Sequence, residues 1–146
     1  AGSGAIFETV RNGLKYYTQG GTGFVDVKDV AKILILLMNS EVTAERFIIS
    51  NQNYTYKDLF AAIAKAFDLP TPQKEAKPWM LSLAWKANAI KNMFSGDKGG
   101  LTKATATSAP NLKQFNNSKI KKQLAGFEFK PIGESITKIA NSLKIS

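Results

Sequence analysis

The stretch Gly20-Gly21-Thr22-Gly23-Phe24-Val25-Asp26-Val27-Lys28-Asp29-Val30-Ala31, running on through Lys32 to Met38, decides how the fold is read. The glycines break the chain, and Phe24-Val25 reads as a short strand. Asp26 followed three residues later by Asp29 resembles a capping box, with Asp in place of the usual Glu. Val30 to Met38 is apolar nearly all round apart from Lys32, which predicts a buried helix. A strand, a cap and a helix thus follow one another directly.

Working outward, Ile6, Phe7, Val10, Leu14 and Tyr17 recur at three and four residues and predict a helix over Gly4–Tyr17. Ser3 is placed to cap it, and Gly13 is a weak point near its far end. Glu45 to Ser50 carries Phe47-Ile48-Ile49, a central-strand pattern, and Asn51-Gln52-Asn53 turns the chain. Thr55 is placed to cap a helix bearing Leu59, Phe60, Ile63, Ala64 and Phe67, which Asp68-Leu69-Pro70 stops. Residues 70 to 78 hold three of the five prolines and read as a connector. Pro78 suits the first turn of a helix from Trp79 to Phe94. Ser95 to Gly100 reads as a flexible loop, followed by a short helix near Thr102 to Ser108 and an extended Leu112 to Phe115. Asn117 or Ser118 caps a helix through Leu124 that Gly126 ends. Phe127-Glu128-Phe129 reads as a brief strand, and Pro131 precedes a last helix over Ile132–Leu143. The fold class is α+β, mostly helical with two or three short strands.

A chain of 146 residues supports one compact domain, 1–146. It contains no histidine and no cysteine, which excludes Cys/His zinc sites, Ser-His-Asp and Cys-His machinery, thiol redox chemistry and disulfides. The missing cysteines fit a reducing, cytoplasmic setting. No signal peptide is visible, and the longest apolar run, Ile33 to Met38, is far short of the roughly 20 residues that span a bilayer. No metal and no membrane are therefore expected. The first residue is Ala1 and an amphipathic segment begins almost at once, as in a chain cut from something longer or one with a processed terminus.

Lys+Arg exceed Asp+Glu by 20 to 11, a net charge of +9. Residues 1 to 73 hold seven basic and seven acidic groups, while residues 74 to 146 hold 13 basic and four acidic ones. A basic half containing Trp79, Trp85 and Phe94 raises the question of nucleic acid. All 13 of those cations are lysines, mostly spaced singly, whereas base readout and phosphate clamping favour arginine forks. Solvated lysine faces are the simpler reading. Trp79 and Trp85, six residues apart, point to different sides of their helix, and each suits packing better than stacking on a ligand. Gly20 to Gly23 precedes a strand and lacks both the GxGxxG spacing and a Walker lysine. A backbone turn beside a ligand suits it better, because glycine admits close approach to the main chain. Asp26 and Asp29 read as helix-start residues before acid–base groups.

Several segments, in order, resemble the extended short-chain dehydrogenases/reductases, the NAD-dependent epimerase/dehydratase superfamily. Gly23-Phe24-Val25-Asp26-Val27-Lys28-Asp29-Val30-Ala31 is similar to that family's VxVxDVA segment. Glu45-Arg46-Phe47-Ile48-Ile49-Ser50 resembles the strand placed next, and Tyr54-Thr55-Tyr56-Lys57-Asp58-Leu59 a helix start of the form xxTxxEL, with Asp58 replacing Glu. Ser118 to Leu124 with Gly126-Phe127 and Pro131 resembles xxKIxxeLGFxP, with Ala125 inserted. Ile132 to Ile139 resembles the closing helix.

The resemblance implies a single C-terminal substrate-binding domain whose N-terminal Rossmann domain, with its cofactor sheet, is absent. It implies NAD or NADP in the full-length protein and none on this part, a small-molecule substrate, and no catalytic residue here. The family's Tyr-x-x-x-Lys pair is not found, since the residues four after Tyr16, Tyr17, Tyr54 and Tyr56 are Gly20, Gly21, Asp58 and Phe60. The arginines by which nucleotide-sugar epimerases hold a diphosphate are also missing, which points to the dihydroflavonol-reductase-like branch and a carbonyl or hydroxyl compound. Gly21, Thr22, Gly23, Phe24 and Trp79 are the candidate substrate-binding residues. Surface bared by the absent domain predicts self-association, or pairing with that domain. The alternative is a small basic α+β nucleic-acid-binding or interaction domain.

Overall fold

The structure, a computed structural model, describes residues 3–77, 79–84, 86–87 and 108–145. In chain order its elements are α1 (Ser3–Arg11), β1 (Tyr16–Tyr17), β2 (Gly21–Phe24), α2 (Val27–Met38), β3 (Gln52–Thr55), α3 (Tyr56–Ala66), β4 (Lys74–Glu75), α4 (Ser118–Gln123) and α5 (Ile132–Ile145). Residues 79–84 and 86–87 are also helical. The fold is α+β, as the sequence predicts, with about half of the described residues helical and four short strands where two or three were expected. Its described strands form two small sheets, β2 antiparallel to β3 and β1 parallel to β4.

The core lies where α1, α3 and α5 press their apolar stripes together. Phe7 and Val10 come from the first, Leu59, Ile63 and Ala64 from the second, and Ile132, Ile136 and Ala140 from the third. Burying the Phe, Val, Leu and Ile side chains among them contributes roughly 1.5–3 kcal/mol each before entropy is counted. α3 is well terminated at both ends. The Thr55 hydroxyl accepts from the Asp58 amide at 3.1 Å, and Asp68 closes the other end in the left-handed region at φ 58°. The Leu69 amide reaches the Ala64 carbonyl at 2.9 Å and the Asp68 amide that of Lys65 at 3.1 Å, a Schellman motif.

Several sequence expectations are corrected. The first helix stops at Arg11, not Tyr17, because Gly13 takes φ 85° and turns the chain. Tyr16 and Tyr17 instead pair with Lys74 and Glu75, inside the segment read as a plain connector. Phe47 to Ile49 forms no ladder, and the strand begins at Gln52, where a turn was expected. Without a neighbouring edge, a strand-forming sequence has nothing to pair with. Phe127 to Phe129 is likewise no strand; the two rings meet edge to face at 5.2 Å. Most of the helix expected over Trp79–Phe94, with Trp85, and of that near Thr102–Ser108 lies outside the described residues.

The largest departure concerns α2. The Asp26 cap forms as read, with its carboxylate accepting from the Lys28 amide at 2.8 Å. The helix is not buried, however. Asp29 and Ile33 are its buried residues, while Val27, Leu34, Ile35 and Met38 stand exposed, Met38 at 83%. Among the described residues no helix is long and apolar enough to cross a membrane.

Candidate functional site

β2 organises the region singled out by sequence. Its register against β3 sets Gly21 opposite Thr55, Thr22 opposite Tyr54, Gly23 opposite Asn53 and Phe24 opposite Gln52. The main chain at the glycines is approached closely, and what approaches is the chain itself. The Gly21 amide donates to the Asn111 carbonyl at 3.1 Å and its carbonyl accepts from the Lys113 amide at 2.9 Å. A Cβ on Gly21 would strike the Tyr54 carbonyl and, at 2.8 Å, the Leu112 side chain. A Cβ on Gly20 would strike the Ala109 carbonyl, and one on Gly23 the Ser50 hydroxyl and the Phe115 ring. The Asn53 amide group brackets Phe115, donating to its carbonyl and accepting from its amide at 3.0 Å each. The glycines therefore let residues 109–115 lie against β2, which no side chain there would allow.

Phe24 ends this strand and turns toward the helices. Its ring meets Tyr54 edge to face at 6.3 Å and lines a cavity of about 400 Å³ between α1, α3 and α5. Phe7, Leu59, Ile63, Ile132 and Ile136 supply most of the remaining wall. Trp79 stands apart, 65% exposed and not in that lining. The structure thus brings Gly21, Thr22, Gly23 and Phe24 together on one strand, and only Phe24 among the five candidates reaches the cavity.

Beside Phe24 lies a polar cluster that sequence reasoning did not find. Asp26, beyond capping α2, accepts from the Ser135 hydroxyl at 2.5 Å, with the Lys130 ammonium 3.9 Å away. The Ser135 hydrogen bond, then that of the Lys28 amide, holds its carboxyl below the ordinary carboxylate range. Asp29 does not reach back to complete a capping box. Its buried carboxylate accepts instead from the Lys130 amide at 2.6 Å, while Asn51 donates to the Lys130 carbonyl at 2.7 Å. Both aspartates are thus engaged in holding α2 against the start of α5. No sequence signal links Asp26 to Ser135, because the two meet only through tertiary packing.

The tyrosines have structural neighbours. The Lys57 ammonium lies 5.3 Å from the Tyr17 ring centre, and Tyr56 stacks on Phe60 at 6.0 Å. Among the described residues no three His, Cys, Asp or Glu side chains converge as metal ligands would. The described residues offer an apolar cavity with cationic and hydroxyl groups at its edge, fit for binding.

No family model matches this sequence, and no curated protein matches it significantly. Solved structures do resemble it. The crystal structure of gox2253 superposes with a TM-score of 0.70 at 22% identity, covering 97% of this chain and 43% of that one. The Bordetella bronchiseptica enzyme WbmH, solved in complex with NAD+, superposes with a TM-score of 0.61 at 18% identity, covering 96% of this chain and 38% of that one. At these identities the likeness is one of fold. The chain spans less than half the length of either protein, and what it shares with them is nearly its whole length.

Proposed function

We propose that the chain is the substrate-binding portion of an NAD(P)-dependent extended short-chain dehydrogenase/reductase, acting on a carbonyl or hydroxyl compound and inactive without a cofactor-binding domain. The observation that carries this reading is the unpartnered apolar side of α2. Val27, Ala31, Leu34 and Met38 recur at three, four and seven residues, with Ile35 beside them, and all are exposed. Residues 46–50, a strand-forming sequence, have no ladder partner among the described residues, and Ile48 is 49% exposed. An apolar helix face and an unpaired strand-forming segment are what a parallel sheet flanked by helices takes up. The fold shared with a longer, NAD+-bound enzyme supports the same reading.

In this reading the Rossmann domain supplies the nicotinamide and the tyrosine–lysine pair, and this chain binds substrate. The Phe24 ring, at the end of the Gly21–Phe24 strand, would face substrate, with Gly21, Thr22 and Gly23 fixing its position, and Trp79 would wall the cleft from outside. The absence of arginine forks favours the dihydroflavonol-reductase-like branch. The lysine excess of the second half has internal uses as well: Lys119 pairs with Glu45, Lys130 approaches Asp26 and Lys144 pairs with Asp68, each carboxylate lying in the first half.

Calorimetry with NAD+ and NADP+ tests the division of labour. The chain alone should give no binding heat with either. In sedimentation the chain alone should self-associate, and a Leu34→Lys, Ile35→Lys, Met38→Lys variant should become monomeric. Tight NAD(H) binding by the chain alone, or a clean wild-type monomer at high concentration, would overturn the proposal.

A further inference from the structure

We infer that the cavity between α1, α3 and α5 binds a small amphipathic anion, an apolar body ending in a carboxylate. Its volume, about 400 Å³, is within the roughly 300–1,000 Å³ of small-molecule pockets. Its walls are almost wholly apolar, and Phe7, Leu59, Ile63, Ile132 and Ile136 are all buried side chains of the core. They give the cavity a fixed shape, unlike a gap between mobile loops. An apolar body lodged there leaves water at no cost in unpaired polar groups.

The charged groups at the edge decide the sign of the ligand. Lys28 and Lys138 both line the cavity, and neither lies within 4.0 Å of a carboxylate among the described residues, although the Lys28 charge acts on Asp26 at longer range. The one carboxylate in the lining, Asp26, already accepts from the Ser135 hydroxyl and the Lys28 amide, with Lys130 close by. Ser135 donates to that carboxylate and Ser142 to the Ile139 carbonyl. With two lysines against one carboxylate that Lys130 also approaches, the balance of the lining is positive. A carboxylate at the mouth would meet two ammonium groups, while a cation would meet the same two with repulsion. Phe24 and Val27 belong both to this lining and to the surfaces assigned above; the test uses the chain alone, so it reads the cavity separately from cofactor binding.

The test titrates the chain by calorimetry with decanoate, decanol and decyltrimethylammonium, each below its micelle concentration. Decanoate should bind saturably at one site, decanol more weakly and the cation weakest. Lys28→Gln with Lys138→Gln should weaken decanoate roughly fivefold and leave decanol unchanged. Both lysines are exposed, so the variant should keep the wild-type circular dichroism. Ile139→Asp, also at an exposed lining position, should weaken decanoate more than decanol. Absence of saturable decanoate binding to the folded chain, equal affinity for decanoate and decanol, or indifference to the double lysine variant would each overturn the inference.

Discussion

α2 and α3 are helices of similar length, each opened by a capping side chain, yet they are held in opposite ways. α3 buries Leu59, Ile63 and Ala64 in the core and leaves polar groups outside. α2 is the more apolar of the two, and most of that apolar surface faces outward. What fixes α2 is its first turns: Asp26 to Ser135, Asp29 to the Lys130 amide, and Ile33 buried below them. Apolar content alone therefore does not say where a helix is packed. The helix with more of it is anchored by two carboxylates, and its apolar side is left for another surface.

The comparison can be broken most directly in the core. Ile63→Ala should destabilise the chain by about 2–5 kcal/mol in urea denaturation, because a fully buried side chain leaves a cavity. Leu36→Ala, on the exposed part of α2, should stay within about 0.5 kcal/mol. Equal losses at the two sites would mean that α2 packs as α3 does. Next in size, Asp29→Ala removes the acceptor of the buried-side bond to the Lys130 amide and should cost about 1–3 kcal/mol. A negligible loss would show that Ile33 holds the helix without its polar anchor.

The smallest effect is the pH dependence at Asp26. Its carboxyl titrates lower in the folded chain than in the unfolded one, so it contributes stability above the ordinary carboxylate pKa of about 3.9. That contribution is lost as pH falls below this value and through the lower folded one. Asp26→Asn should therefore cost about 1 kcal/mol at neutral pH and flatten the acid limb of the stability profile. An unchanged acid limb would place the anchoring elsewhere.

Particular residues mark how far the sequence could be read. Thr55, Asp26 and Gly126 announced helix ends because caps and left-handed glycines act within one turn of chain. Gly13 was legible as a weak point, although the turn it makes, at φ 85°, was not. Phe47 to Ile49 was legible as strand-forming, yet a ladder needs a second edge that sequence periodicity does not supply. The glycines beside Phe24 lie against residues 109–115; of the cavity lining, Phe24 was singled out from its local pattern. Ser135, Lys138 and the facing walls of the cavity were not, since their meeting depends on three helices far apart in the chain.

By itself, then, the sequence determined the α+β class, most helix starts, the lysine-bearing second half, and the exclusion of histidine and cysteine chemistry. These follow from composition and from interactions between near neighbours. Only the tertiary structure decided that α2 faces outward, that the glycines receive residues 109–115, and that Asp26 serves Ser135 as well as its own helix. Those are contacts across 90 to 109 positions of chain, fixed by which surfaces find a partner.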